Sequence, residues 1–281
     1  MQRRPAGLPW AVRFRAPFRR KLTYKQAPSS GADAGRIMRL VGKGAIVTGA
    51  GSGIGEAVAR CYAEEGAEVV TVGRTLAKLE SARQAAGAAA SRLHPYPLDV
   101  ADAEAVDAMV AWAQRRLPQV DILVNNAGTN VPRRALDELS REDFDTVVRV
   151  NVSGPFYLLS AILPGMRERG DGVVITVSST AGVRTSVVAG ASYSVSKHGA
   201  RSLSLATHLE DGPRGIRSCV ICPGEVNTPI LDRRPVVPSD DRRAVMLQPE
   251  DVAQAALLVA TLHPRACIPE LIITPTNQKF S

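Results

Sequence analysis

The 281-residue sequence predicts an α/β fold, a single doubly wound parallel sheet with helices on both faces. Three observations predict it. From residue 42 onward, short β-branched runs alternate with longer amphipathic stretches. The runs are apolar at nearly every position, as strands buried on two faces require. No repeat or linker breaks the pattern after residue 40, so residues 38–281 read as one domain.

In chain order the strands fall at 45–47, 68–72, 121–124, 173–177, 217–221 and 271–273, with a further strand ending in Leu98-Asp99-Val100. Helices are expected near 54–65, 75–90, 102–116, 140–168, 192–211 and 250–262. With 45% hydrophobic and 22% charged residues, the chain has material for one large core. No stretch approaches the roughly 18–20 uninterrupted apolar residues of a membrane span. The body is therefore expected to be soluble, with no membrane partner.

A net charge of +8 would suggest nucleic acid, but its location argues otherwise. Residues 1–37 hold nine Lys and Arg against Asp33 alone, which accounts for the whole excess. The rest of the chain is formally neutral, and no nucleic-acid partner is expected. Residues 1–37 read as a basic extension, expected to be disordered and followed by Met38. An organelle-targeting segment is the alternative to a cytoplasmic protein.

Cys61, Cys219, Cys222 and Cys267 are too scattered for a disulfide framework. Cys219-Val220-Ile221-Cys222 lies in an apolar strand with no second ligand pair, so its thiols read as core and no metal is expected.

Thr48-Gly49-Ala50-Gly51-Ser52-Gly53-Ile54-Gly55 follows the first strand and opens the first helix. Glycines there allow a tight turn and close backbone approach to a pyrophosphate, which the N–H groups and dipole of the helix start attract. The second strand ends Val72-Gly73-Arg74-Thr75, without the carboxylate that would bind ribose hydroxyls. Arg74 suits a 2′-phosphate instead. NADP is therefore the expected cofactor, with NAD possible. Asp99, followed by Val100, is placed to accept from the adenine amino group or to cap the next helix.

Tyr193 and Lys197 are four residues apart on an expected helix, hence on one face. A phenol titrating near 10 is a poor base at neutral pH. Lowering its pKa by roughly three units needs about 4 kcal/mol, a task for the nearby ammonium and a cationic nicotinamide ring.

Together with Asn125-Asn126-Ala127-Gly128, Ser178-Ser179 and Pro223-Gly224, these motifs occur in an order that closely resembles the short-chain dehydrogenase/reductase family over residues 42–275. The resemblance implies a Rossmann-type fold and an NAD(P)-dependent oxidoreductase that interconverts an alcohol and a ketone or aldehyde. Tyr193 would be the general acid/base and Lys197 its helper, which also holds the nicotinamide ribose. Ser179, chosen over Ser178 because Gly182 follows it by three, would hydrogen-bond the substrate oxygen. Asn151 would support a water leading from the lysine to solvent. Asn125, Ala127 and Gly128 would support the sheet centre and the adenosine side, while Pro223, Gly224, Val226 and Thr228 would meet the nicotinamide.

Two features depart from the family pattern. The chain ends in Leu271-Ile272-Ile273-Thr274-Pro275, and 14 residues separate Ser179 from Tyr193, one more than expected. A small-molecule carbonyl or alcohol substrate and a homodimer or homotetramer are expected, with helices 140–168 and 192–211 pairing across a two-fold. Residues 230–248, rich in Asp and Arg, suggest a polar substrate, and Arg184 a possible acidic one. An NADP-sensing protein without turnover is the rival reading. It would predict damage among Asn151, Ser179, Tyr193 and Lys197, and all four are present.

Overall fold

Side chains alternate along a strand, and in β1 (Gly44–Thr48) the alternation fills two separate layers. Ala45 and Val47 belong to one apolar cluster, Ile46 to another on the opposite face. In β5 (Gly172–Val177), Val173, Ile175 and Val177 lie on the first side and Val174 on the second. Both faces are interior, which is why these runs lack polar alternation. Burial of each such Val or Ile contributes about 1.5–3 kcal/mol.

The computed structural model of the chain describes residues 37–278. The expected extension at 1–37 therefore lies, except for Ile37, outside the described residues. Among the described residues β1 is joined by β2 (Glu68–Gly73), β3 (Leu93–Pro97), β4 (Ile122–Asn125), β5, β6 (Ile216–Pro223) and β7 (Glu270–Ile273). These form one parallel sheet in the order β3-β2-β1-β4-β5-β6-β7. The β3 sequence, Leu-His-Pro-Tyr-Pro, does not read as a strand, because proline removes a ladder donor. It sits at the sheet edge, where that loss is tolerated, and residues 98–100 lie just beyond its end.

Helices α1 (Gly53–Glu64) and α8 (Pro249–Thr261) cover one face. There the fully buried Tyr62 donates to the Ala256 carbonyl at 3.0 Å. The short α2 (Leu76–Ala85) follows β2 and ends earlier than expected, giving way to a 3₁₀ turn at Gly87–Arg92. On the other face α3 (Ala103–Arg116) starts at Asp102, whose side chain accepts from Ala105 N at 3.0 Å. The single helix expected over 140–168 is divided into α4 (Arg141–Val148) and α5 (Gly154–Arg169) by a π turn, Arg149–Ser153. By length and composition the run Arg141–Arg169 matches a membrane span, which strict counting of uninterrupted apolar residues missed. Its Leu158, Leu159, Ile162, Leu163 and Met166 are buried against α3 and the sheet, which accounts for that composition.

Helix α6 (Ala191–Asp211) follows β5, and a short α7 (Asp240–Ala244) precedes α8. The buried Asp211 carboxylate at the end of α6 accepts from Arg167 Nε at 2.7 Å and Nη2 at 2.8 Å, and from Arg214 Nη1 at 3.0 Å. The Arg167 hydrogen bonds hold its pKa below the ordinary carboxylate value. This stabilisation is present above the unfolded pKa, near 4, and is lost as pH falls through the folded value. Asp211→Asn should therefore lower the urea-unfolding free energy by about 2 kcal/mol at pH 7. The difference from wild type should shrink toward pH 3.

Candidate active site

All strands point the same way, so their carboxyl ends share one rim. At the β1/β4 boundary the winding of the chain reverses, which opens a crevice. A cleft of about 1310 Å³ occupies this rim.

Its first wall is the turn between β1 and α1. Gly49 (φ 67°) and Gly53 (φ 57°) take left-handed conformations that favour glycine. Gly49, Gly51, Ser52, Gly53 and Ile54 line the cleft. Ser52, the residue before α1, makes no side-chain cap, so no side chain of that residue occupies the N–H groups of the first turn. A Cβ on Gly55 would collide with the Gly49 carbonyl and the Asn126 amide. Gly55 thus packs the turn from behind and does not reach the cleft wall. The shape and donor set fit a pyrophosphate.

Asn126 ties this turn to β4. Its N–H and that of Ala127 both donate to Thr48 Oγ1 at 3.0 Å, and Asn126 Nδ2 donates to the Thr48 carbonyl at 2.9 Å. Asn125 lies in β4, the central strand of the sheet, but does not line the cleft, so its expected contact with the cofactor is not seen. Asn125 is buried off the cleft wall with its amide unpartnered among the described residues, and its neighbour makes the bridge. Parallel pairing turns successive side chains to opposite faces, which is why the adjacent asparagines differ.

At the adenosine end, Arg74 is exposed in the cleft wall and Lys78 follows one helical turn later. Lys78 was missed because its motif is an ordinary surface helix. Asp99 and Val100 line the same end. Asp99 Oδ1 accepts from Ala101 N at 3.0 Å, while α3 is capped by Asp102 and not by Asp99.

At the other end α6 begins beside Gly190 (φ 82°), placing Tyr193 in its first turn and Lys197 in the next. The Lys197 ammonium donates to the Val177 carbonyl at 2.9 Å and lies 5.6 Å from the Tyr193 ring centre. Ser178 Oγ donates to the Lys197 carbonyl at 2.8 Å, so Ser178 braces the helix. Ser179 faces the Tyr193 phenol in the cleft.

Asn151 lies behind this wall in the π turn. Its Oδ1 accepts from Thr129 N at 2.8 Å, and its Nδ2 donates to the Thr129 carbonyl at 3.0 Å and to Ser196 Oγ at 2.9 Å. Ser196 Oγ donates in turn to the Tyr193 carbonyl at 2.8 Å. A Cβ on Gly128 would come within 3.4 Å of Lys197 Nζ and 3.5 Å of Asn151 Oδ1, so both groups lie close against Gly128. Ala127, Gly128, Pro223, Gly224, Val226 and Thr228 also line the cleft.

The electrostatics differ from the expectation of an acidified phenol. Burial pushes Tyr193 up to about 12, against the smaller downward pull of the Ser179 hydroxyl and the Arg234 and Arg134 charges. Burial likewise pushes Lys197 down to about 8. Desolvation of the phenolate outweighs the pull of these neighbours. In this state Tyr193 holds its proton at neutral pH.

The stretch after β6, expected from its Asp and Arg content to favour a polar substrate, is less open in charge than its composition suggests. Much of its charge is paired internally: Arg234 and Arg242 with Glu225 at 2.8 and 2.9 Å, Arg243 with Asp232 at 2.6 Å. Ile230, Leu231 and Val236 meanwhile line the cleft.

A parallel α/β sheet with a phosphate cradle and a Tyr–Lys–Ser cluster in one crevice defines a dinucleotide-dependent oxidoreductase. The family model described as short chain dehydrogenase matches residues 43–235, and the chain belongs to that family. An uncharacterised oxidoreductase of Staphylococcus aureus is 32% identical over 239 residues, covering 84% of this chain and 98% of its own. Among solved structures, a closed serine dehydrogenase complexed with NADP+ superimposes with a TM-score of 0.76 at 32% identity, covering 85% of this chain and 97% of the other. An alcohol dehydrogenase from the archaeon Thermococcus sibiricus, complexed with 5-hydroxy-NADP, gives 0.75 at 28% identity, covering 85% and 99%.

If the turn is the phosphate cradle, Gly55→Ala must displace it. The variant should bind NADPH at least tenfold more weakly by fluorescence titration, equivalent to about 1.4 kcal/mol. Unchanged affinity in a folded variant would remove the turn from the binding site.

Proposed function

We propose that the chain catalyses reversible transfer of hydride between NADP(H) and a small alcohol/carbonyl pair. The observation that carries this reading is the convergence of Tyr193, Ser179 and Lys197 on the cleft that also holds the glycine turn. When bound, the nicotinamide supplies hydride to the carbonyl carbon in reduction and takes it back in oxidation.

In reduction Tyr193 donates its phenolic proton to the carbonyl oxygen, converting it to a hydroxyl. Ser179 donates a hydrogen bond to the same oxygen, offsetting the charge that develops there. Lys197 favours the phenolate left behind and holds the ribose hydroxyls. Asn151 positions this group by joining the Thr129 loop to α6. In oxidation the phenolate accepts the alcohol proton.

Preference for NADP is supported by Arg74 and Lys78 at the adenosine end and by Gly73-Arg74-Thr75, which offers no carboxylate to ribose hydroxyls. The neighbouring serine dehydrogenase is likewise an NADP+ complex. Assembly as a homodimer or homotetramer is supported by exposed Phe156 on α5 and Val195 and Leu209 on α6.

A panel of ketones assayed with NADPH and NADH tests the proposal. Tyr193→Phe should reduce kcat by about 10²–10⁴. Arg74→Ala should raise the KM for NADPH by about tenfold, more than that for NADH. Equal or better wild-type rates with NADH would overturn the cofactor assignment. Undiminished turnover by Tyr193→Phe would overturn the mechanism.

A further inference from the structure

The segment that follows the edge strand β7 returns to the cleft. Pro223, the last residue of β6, pairs with Ile273 of β7, and Gly224 N donates to the Ile273 carbonyl at 2.8 Å. Beyond Ile273 the chain turns at Pro275, whose carbonyl accepts from Gln278 N at 2.9 Å. The turn brings Gln278 back over the end of β6, where its Oε1 accepts from Glu225 N at 3.1 Å. Gln278 thereby joins Pro223, Gly224 and Glu225 in the cleft wall.

Gly224 shows how close this approach is. Its φ lies outside the left-handed region, so backbone conformation does not require glycine there. A Cβ would instead collide with Gln278 Oε1 and come within 3.0 Å of Pro275 Cδ. The clearance belongs to the segment after β7.

Glu225 is where several parts of the wall meet. Its carbonyl accepts from Leu247 N at 3.0 Å, and its carboxylate receives Arg234 and Arg242 at 2.8 and 2.9 Å. Those ion pairs hold a side chain and reach solvent through Arg242, so they fix the backbone weakly. The Gln278 bond acts on the peptide between Gly224 and Glu225 itself. On one side of that peptide, Ser178 N donates to the Ile221 carbonyl at 2.8 Å, which sets the end of β6 beside Ser178-Ser179. On the other side, Thr228 reaches the glycine turn, where a Cβ on Gly53 would come within 3.0 Å of Thr228 Cγ2. Residues 223–228 therefore cross the cleft from the reaction end to the phosphate cradle.

We propose that Gln278 is a positioning residue for the dinucleotide: by holding the peptide between Gly224 and Glu225, it sets residues 223–228 between Ser179 and the glycine turn. It acts through that peptide and not on the reacting atoms. The consequence for turnover rests on the oxidoreductase reading; the consequence for backbone order and NADPH binding does not.

Two variants separate the hydrogen bond from the bulk of the side chain. Gln278→Met keeps length and volume but removes the acceptor, and Gln278→Glu keeps an acceptor. In the free chain, amide hydrogen exchange over 224–228 should rise about tenfold in Gln278→Met and stay near wild type in Gln278→Glu. NADPH binding, followed by fluorescence titration, should weaken about fivefold in Gln278→Met, with Gln278→Glu restoring part of it. Because Gly224→Ala displaces the same side chain, its loss of affinity and that of Gln278→Met should not add. With the ketone best reduced by wild type, the loss should fall on the KM for NADPH more than on kcat. Unchanged exchange and affinity in Gln278→Met would overturn the proposal. Faster exchange with unchanged affinity would reduce the contact to a structural one and overturn the positioning role. Gln278→Glu behaving as badly as Gln278→Met would remove the hydrogen bond as the cause. NADPH binding that depends on Gln278 in a chain that reduces no ketone would support the proposal and count against the oxidoreductase reading alone.

Discussion

Burial of Lys197 and partial burial of Tyr193 at the carboxyl rim of the sheet are the constraint from which the character of the site follows. A parallel sheet covered on both faces offers functional groups to a ligand only at its strand ends. Val177, the last residue of β5, supplies the carbonyl that holds the Lys197 ammonium, and Ser178 grips the helix backbone at the same residue. These contacts lock α6 onto β5 and set the phenol toward the cleft. The low polarity that makes the packing favourable also opposes ionisation of both groups.

Two different kinds of group share the cleft. The turn at Thr48–Gly55 contributes backbone donors and, at its four glycines, room for close approach, and Asn126 fixes it to β4. The reaction end contributes side chains whose protonation states are tuned by burial. The Asn151 hydrogen bonds connect the loop after β4 to α6. The π turn that carries Asn151 replaces regular helix geometry where its side chain reaches both neighbours, an exchange common at functional sites.

Much of the fold was legible because burial on two faces leaves a direct mark, the continuous apolar run. The glycine turn, Tyr193 and Lys197 were legible because backbone clearance and helical spacing restrict residue types. β3 left no such mark, since its two prolines suit only an edge. The division between α4 and α5 was hidden because a π turn preserves the apolar character of a helix. Asn125 and Asn126 are adjacent and chemically identical, and only the register of β4 separates their roles. The burial of Arg134 left no mark in the sequence, because it arises from loops distant in sequence. The charges at 230–248 were visible, but not that many of them neutralise one another.

The most direct test of the central claim is the ionisation of the Tyr193 phenol itself. Tyrosine labelled with carbon-13 at Cζ, with Tyr193→Phe to assign the signal, reports it by NMR titration with and without NADP+. The account predicts a Tyr193 resonance that stays protonated well above the ordinary value near 10 in the free chain and titrates at lower pH once NADP+ is bound. Ionisation near 10 that is indifferent to NADP+ would contradict it.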